Sequence, residues 1–186
     1  MNLKKGLTFV AFGFLFTLVN LNITLNGSTL NIMPDFIGWI LFFLAFDKLG
    51  KYVEDKRYLK WIALILTIAT AVLWIFDIAE PASRIDFLKT IVTIVSAVYM
   101  FLLFGSLEKI AHEYGSAGET ALHMLKILNL VLNVAFVVLA LMAGYVSLEN
   151  YALLATLTGV AALVAAIITA VVLFRLRKDI GVSFSE

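Results

Sequence analysis

The sequence predicts an all-α integral membrane protein: a bundle of six transmembrane helices arranged as three hairpins, with both termini in the cytoplasm. Three observations lead there. The 186-residue chain is 62% hydrophobic and 15% charged, with a mean hydropathy of +1.02, where a soluble domain is about 45–50% apolar and about 25% charged. Six apolar runs follow one another, each near the roughly 20 helical residues that cross a hydrocarbon core about 30 Å thick. Basic residues collect on one side once those runs are taken as spans. The same composition excludes disorder, collagen-like repeats and nucleic-acid binding. With no cysteine, the chain has no disulfide framework, thiolate metal site or cysteine nucleophile.

A single transmembrane domain, 1–186, is expected, with spans at about 7–25, 34–50, 61–78, 88–106, 127–146 and 151–174. The first follows Lys4 and Lys5, as a signal peptide would. It leads into Asn20-Leu21-Asn22-Ile23-Thr24 with no Ala-x-Ala cleavage pattern, so it reads as a retained helix. Asn26-Gly27 marks the turn after it, and Pro34 suits the first turn of the second helix. The second span ends on Asp47 and Lys48, which can snorkel to the interface; a re-entrant segment is the alternative. Pro81 stops the third helix, and Ser83-Arg84-Ile85-Asp86 reads as a capping box for the fourth. Gly115 sits where a left-handed C-cap belongs, and Ser116-Ala117-Gly118-Glu119 is a second capping box. Helices four and five therefore project a turn or two beyond the membrane, carrying His112 and His123.

With the N-terminus inside, only Arg84 and Lys89 of the 14 basic residues lie outside. That bias orients the protein and supports an even number of spans. A faint repeat links the inner ends of helices two, four and six. Phe46 to Lys51, Phe104 to Lys109 and Leu173 to Lys178 each place an aromatic or Leu, a Leu three later and a Lys two after that. Duplication of a hairpin explains it; so does the ordinary preference of an inner helix end.

Polar groups in a bilayer need a reason. Asn20, Asn22, Asn31, Asp35 and Asp77 fall at similar depth toward the outer side, a candidate ligand-binding group forming an acidic, amide-lined crevice for a cation or polar solute. Asp35 alone also suits the positive end of a helix dipole, and Asp77 also reads as an interfacial carboxylate reaching water. Asn129 and Asn133, spaced i, i+4, share one face of helix five, where amides hydrogen-bond across to a neighbouring helix. On helix six, Ala155, Gly159, Ala162, Ala166 and Ala170 form a small-residue ridge suited to packing within the bundle or to a homodimer seam. Trp39, Trp61 and Trp74 sit toward span ends, as an aromatic belt does. His112 and His123 lack the companions of a metal site, and neither metal nor cofactor is expected. No Gly-x-Ser-x-Gly, phosphate-binding glycine loop or Ser/His pair at membrane depth is present, so the chain does not read as an enzyme.

The stretch from Leu25-Asn26-Gly27 through Met33-Pro34-Asp35-Phe36-Ile37-Gly38-Trp39 resembles a segment of small, uncharacterised multipass proteins of Gram-positive bacteria. That resemblance implies no activity but marks Pro34, Asp35 and Gly38 as a local structural signature. Six spans in 20.6 kDa are also similar to the substrate-binding subunits of energy-coupling-factor vitamin transporters. Those carry small residues on their first helix, where this chain has Phe9, Phe12, Phe14 and Phe16. Two functions are expected to compete. One is binding or transport of a small polar or cationic solute, alone or as a transporter subunit. The other is an accessory or regulatory subunit acting through helix contacts with a membrane-protein partner or a second copy. An enzyme acting on lipid stands behind both. The surrounding partner in every case is the lipid bilayer.

Overall fold

A computed structural model describes residues 2–18, 22–25, 28–31, 34–79, 86–142, 145 and 147–182. Six helices make up nearly all of it: α1 (Asn2–Leu18), α2 (Asp35–Leu49), α3 (Tyr58–Ala79), α4 (Asp86–Glu113), α5 (Gly118–Met142) and α6 (Leu148–Val182). A two-stranded antiparallel hairpin, β1 (Asn22–Leu25) and β2 (Ser28–Asn31), joins α1 to α2, and a 3-10 elbow, Gly50–Lys56, joins α2 to α3.

The hairpin corrects the expectation for the first span, whose helix ends at Leu18 rather than near residue 25. The reason lies in the sequence. Asn22-Ile23-Thr24-Leu25 and Ser28-Thr29-Leu30-Asn31 alternate polar with apolar or β-branched residues around Asn26-Gly27, the strongest short-range hairpin pattern. Asn22 consequently faces Asn31 across the ladder, and Leu25 faces Ser28.

Each helix packs on the next in sequence, and α6 returns to α1, closing a ring. The contacts show neighbouring helices running antiparallel. Gly6 at the start of α1 meets Leu49 at the end of α2, Phe36 at the start of α2 meets Trp74 near the end of α3, and Glu108 late in α4 meets His123 early in α5. The dense core lies toward the elbow end. There Leu7, Val10 and Phe14 of α1 and Phe42, Phe46 and Leu49 of α2 are buried with Leu59 and Leu66 of α3. Leu103, Phe104 and Leu107 of α4, Leu122 and Leu125 of α5, and Leu173 and Leu176 of α6 complete it. Its middle is aromatic: Phe14, Phe42, Trp39, Tyr99 and Phe104 touch in a chain of tilted and edge-to-face rings, centroids 5.1 to 5.7 Å apart. Trp39 is 3% exposed, which corrects its assignment to an interfacial belt; Trp61, 63% exposed, fits that assignment.

Toward the hairpin end the helices carry their large apolar side chains outward. Ile68, Val72 and Ile75 of α3, Phe87, Ile91 and Ile94 of α4, Val131, Val134 and Leu141 of α5, and Leu153, Leu157 and Val160 of α6 are all exposed. Water does not tolerate an apolar surface this extensive; lipid does. Four helices, over Tyr58–Phe76, Phe87–Glu113, Gly118–Leu139 and Glu149–Ile180, are long and apolar enough to cross a membrane. α1 and α2, at 17 and 15 residues, reach about 25 and 22 Å at 1.5 Å per residue. Threonine hydroxyls inside the helices bond locally: Thr67, Thr70 and Thr169 each donate to the carbonyl four residues back, at 2.8, 2.6 and 2.7 Å.

The loop between α4 and α5 folds as the sequence indicates. Gly115 takes φ +59°, its N–H donates to His112 O and that of Ser116 to Ala111 O, at 3.1 and 2.9 Å, the two bonds of a Schellman cap. Ser116 Oγ then accepts from Gly118 N at 3.2 Å and donates to Asp179 near the end of α6. Glu119 does not complete the box. Its carboxylate turns to His112 Nδ1, at 3.1 Å. The capping box at 83–86 lies outside the described residues, apart from Asp86, where α4 begins.

Candidate functional site

The outer polar group is assembled by the hairpin and the helix ends around it. Asn22 and Asn31 occupy directly opposed positions on β1 and β2, and β2 lies beside α3. Asp77 stands third from the end of α3, and Asp35 opens α2 four residues after β2. Asn20 lies outside the described residues. Four of the five sequence-selected positions thus fall at one end of the molecule, on four elements: β1, β2, the start of α2 and the end of α3.

Asp35 is the best-defined member. Pro34, buried, holds φ at −68° with an extended ψ and caps α2; its carbonyl accepts from Ile37 N at 3.1 Å, closing the first turn. Phe36 packs edge-on against Trp74, centroids 5.7 Å apart, tying this turn to α3. One turn further on, Gly38 lies directly against α1: a Cβ there would be 2.5 Å from Thr17 Cγ2 and 2.7 Å from Gly13 O. The Pro34, Asp35 and Gly38 signature therefore has a mechanical meaning, for Pro34 starts the helix and Gly38 seats it. Between them the Oδ1 atom of Asp35 is shielded from solvent and has no hydrogen-bond partner among the described residues.

The helix-packing candidates divide. Ala162, Ala166 and Ala170 are buried, and Ala162 joins Leu132 of α5 in a small cluster, so the lower part of the ridge packs inside the bundle. Ala155 is half-buried, and a Cβ on Gly159 would meet nothing within 4 Å among the described residues. Asn129 is buried but does not reach a neighbouring helix. It donates to Leu125 O at 3.2 Å, and Asn133 donates to Asn129 O at 2.8 Å. Among the described residues both amides donate along α5 itself, where cross-helix bonds were expected.

At the opposite end, sequence reading missed a web of polar contacts around the elbow. Lys51 donates to Glu113 at 2.6 Å, a bond that raises its pKa above the ordinary lysine value. Lys60 donates to Asp47 at 2.7 Å, and Tyr52 donates to Tyr114 across 3.2 Å. Lys56 reaches Leu102 O at 3.2 Å. Glu108 accepts from Lys126 at 2.8 Å and meets His123 at 3.1 Å. The density of charge from Lys48 to Lys60 was the available signal; hydropathy reads such a stretch only as a loop. The three repeat segments also behave alike here. Phe46 and Leu49, Phe104 and Leu107, and Leu173 and Leu176 are buried, while Lys51, Lys109 and Lys178 are exposed. Among the described residues no cluster of three or more His, Asp or Glu is placed to hold a metal. Compared with protein-family models, curated proteins and solved structures, the chain matches none of them.

Proposed function

We propose that the chain crosses the cell membrane six times, with both termini cytoplasmic, and that it binds or transports a small polar or cationic solute. The solute enters an outward-facing crevice headed by Asp35, in a protein acting alone or as a transporter subunit. The observation that carries this reading is the shielded Oδ1 of Asp35, which has no hydrogen-bond partner among the described residues. Leaving a buried acceptor unmet costs about 1–3 kcal/mol, and more when it is charged. A cation or an N–H donor arriving from the hairpin side removes that cost, while the α2 dipole and the packing of Gly38 hold the carboxylate in place.

The test is ligand-dependent stability of the purified protein in detergent, with sodium, potassium and small alkylammonium chlorides as probes. At least one probe raises the melting midpoint of the wild type. At a hundredfold excess over its Kd, the gain is about 2.7 kcal/mol. Asp35→Asn, nearly isosteric, abolishes that rise without lowering the midpoint measured in its absence. Equal responses from wild type and Asp35→Asn would rule out this site.

One observation favours the alternative, an accessory or regulatory subunit acting through helix contacts. From Glu149 to Ala161 no described α6 side chain is buried, and Gly159 faces open space. A partner helix or a second copy would fit there. Under this reading, cross-linking through Gly159→Cys in native membranes yields a discrete adduct; recovery of monomer alone contradicts it.

A further inference from the structure

At the end of the bundle away from Asp35, the elbow and the start of α3 enclose an open groove of about 610 Å³. Its walls carry Asp47, Lys51, Arg57 and Lys60, with Phe46 and Trp61 beside them. Among the described residues three cations thus share this groove with one carboxylate. Two of the three are engaged: Lys60 is bonded to Asp47 and lies 4.9 Å from the Phe43 ring centroid, and Lys51 is bonded to Glu113. Arg57 is exposed, and its guanidinium makes no hydrogen bond or ion pair among the described residues. It stands immediately before α3, whose first turn has no acidic side chain, so the positive end of that helix adds to the same field. A guanidinium in this position presents a planar fork matched to a phosphate.

What leads away from the groove identifies the ligand further. Trp61, Ile65, Ile68, Val72 and Ile75 follow at three- and four-residue spacing and therefore share one face of α3, and all five are exposed. On α2, Ile40 and Leu44 are exposed beside Asp47, and α2 packs along α3. A cationic pocket therefore opens onto a continuous apolar lane, with an indole at the junction. A free anion would use only the first of these features. A glycerophospholipid uses all three.

We propose that this groove binds the phosphate of an anionic glycerophospholipid, Arg57 holding its oxygens while the acyl chains lie along the α3 stripe. The site rests on the membrane reading but not on the solute crevice, which lies at the other end of α2. Native mass spectrometry of the full chain in detergent tests it, with phosphatidylglycerol and phosphatidylcholine of matched chains supplied at equal concentration, and inorganic phosphate as a third arm. Wild type retains phosphatidylglycerol preferentially. Arg57→Gln lowers that retention about tenfold, the scale of one lost charge-assisted contact. Arg57→Lys, which keeps the charge but loses the fork, falls between them, and Lys178→Gln, on exposed α6 surface, leaves retention unchanged. Arg57 is exposed, so these variants keep the fold, which an unchanged melting midpoint verifies. Equal retention of the two lipids, wild-type retention by Arg57→Gln, or inorganic phosphate held as strongly as phosphatidylglycerol would each overturn the proposal.

Discussion

Gly38→Ala is expected to separate α1 from α2 and to destabilise the protein by about 3 kcal/mol, the upper part of the overpacking range. The added methyl has nowhere to go. Its nearest neighbours are Thr17 Cγ2 at 2.5 Å, Gly13 O at 2.7 Å and Thr17 N at 3.1 Å, so two of the three are backbone. Thr17 cannot rotate freely either, because its hydroxyl is bonded to Gly13 O at 3.0 Å. Relief requires movement of the whole helix, and the movement carries Asp35 with it, one turn away. Two readouts should therefore fall together: the melting midpoint and the cation response of the Asp35 site. Gly159→Ala is the matched control, since its methyl meets nothing, and the exchange should be neutral or slightly stabilising through helix propensity.

Phe42→Ala is the second large effect. The ring is fully buried and touches Phe14, Trp39 and Tyr99 with centroids 5.3, 5.4 and 5.7 Å away. It also fills the space over Gly13, where a Cβ would come within 2.8 Å of Phe42 Cε1. In a soluble core such a truncation costs about 3–5 kcal/mol, part of it transfer from water and part of it the cavity left behind. A chain that stays in lipid when its helices separate loses little of the transfer part. The expected cost is therefore about 2 kcal/mol, mostly lost packing. Unfolding titrations in mixed micelles measure it, with Phe87→Ala, at a residue 78% exposed, expected to change almost nothing. A Phe42→Ala variant as stable as wild type would mean that the aromatic cluster is not the keystone of the bundle.

Much of this architecture is legible in the sequence because two signals act locally. Apolar runs of adequate length locate α3 to α6, and α4 and α5 do extend beyond their apolar stretches, to Glu113 and from Gly118. Gly115 announces its left-handed cap because few other residues adopt that φ cheaply. The misses share a different cause. Hydropathy counts Ile23 and Leu25 into the first helix and overlooks the strand alternation that places them in β1, opposite β2. Trp39 looks like a belt residue by its distance from a span end, yet its partners Phe42 and Tyr99 decide its place, and Tyr99 is 60 positions away. Asn129 and Asn133 look like interhelical donors, but a carbonyl of their own helix is always within reach. The Gly13–Gly38 contact was beyond sequence reading, since spacing within one helix does not say which glycine of another it meets. Of the candidate site, the residue types and their common end of the bundle were legible; the unpartnered oxygen of Asp35 was not, because burial is a property of the packed structure.

Transmembrane arrangement is the claim on which the solute crevice and the lipid groove both depend, and the absence of cysteine makes it directly measurable. Single cysteines placed at Lys5, Thr29, Ala117, Tyr145 and Lys178 can be probed in intact cells with a membrane-impermeant maleimide. Six spans with both termini inside predict labelling of Thr29→Cys and Tyr145→Cys from outside, and of the other three only after permeabilisation. Protection of Thr29→Cys would reduce α1 and α2 to a re-entrant pair and leave four spans; labelling of Lys178→Cys in intact cells would contradict the orientation outright.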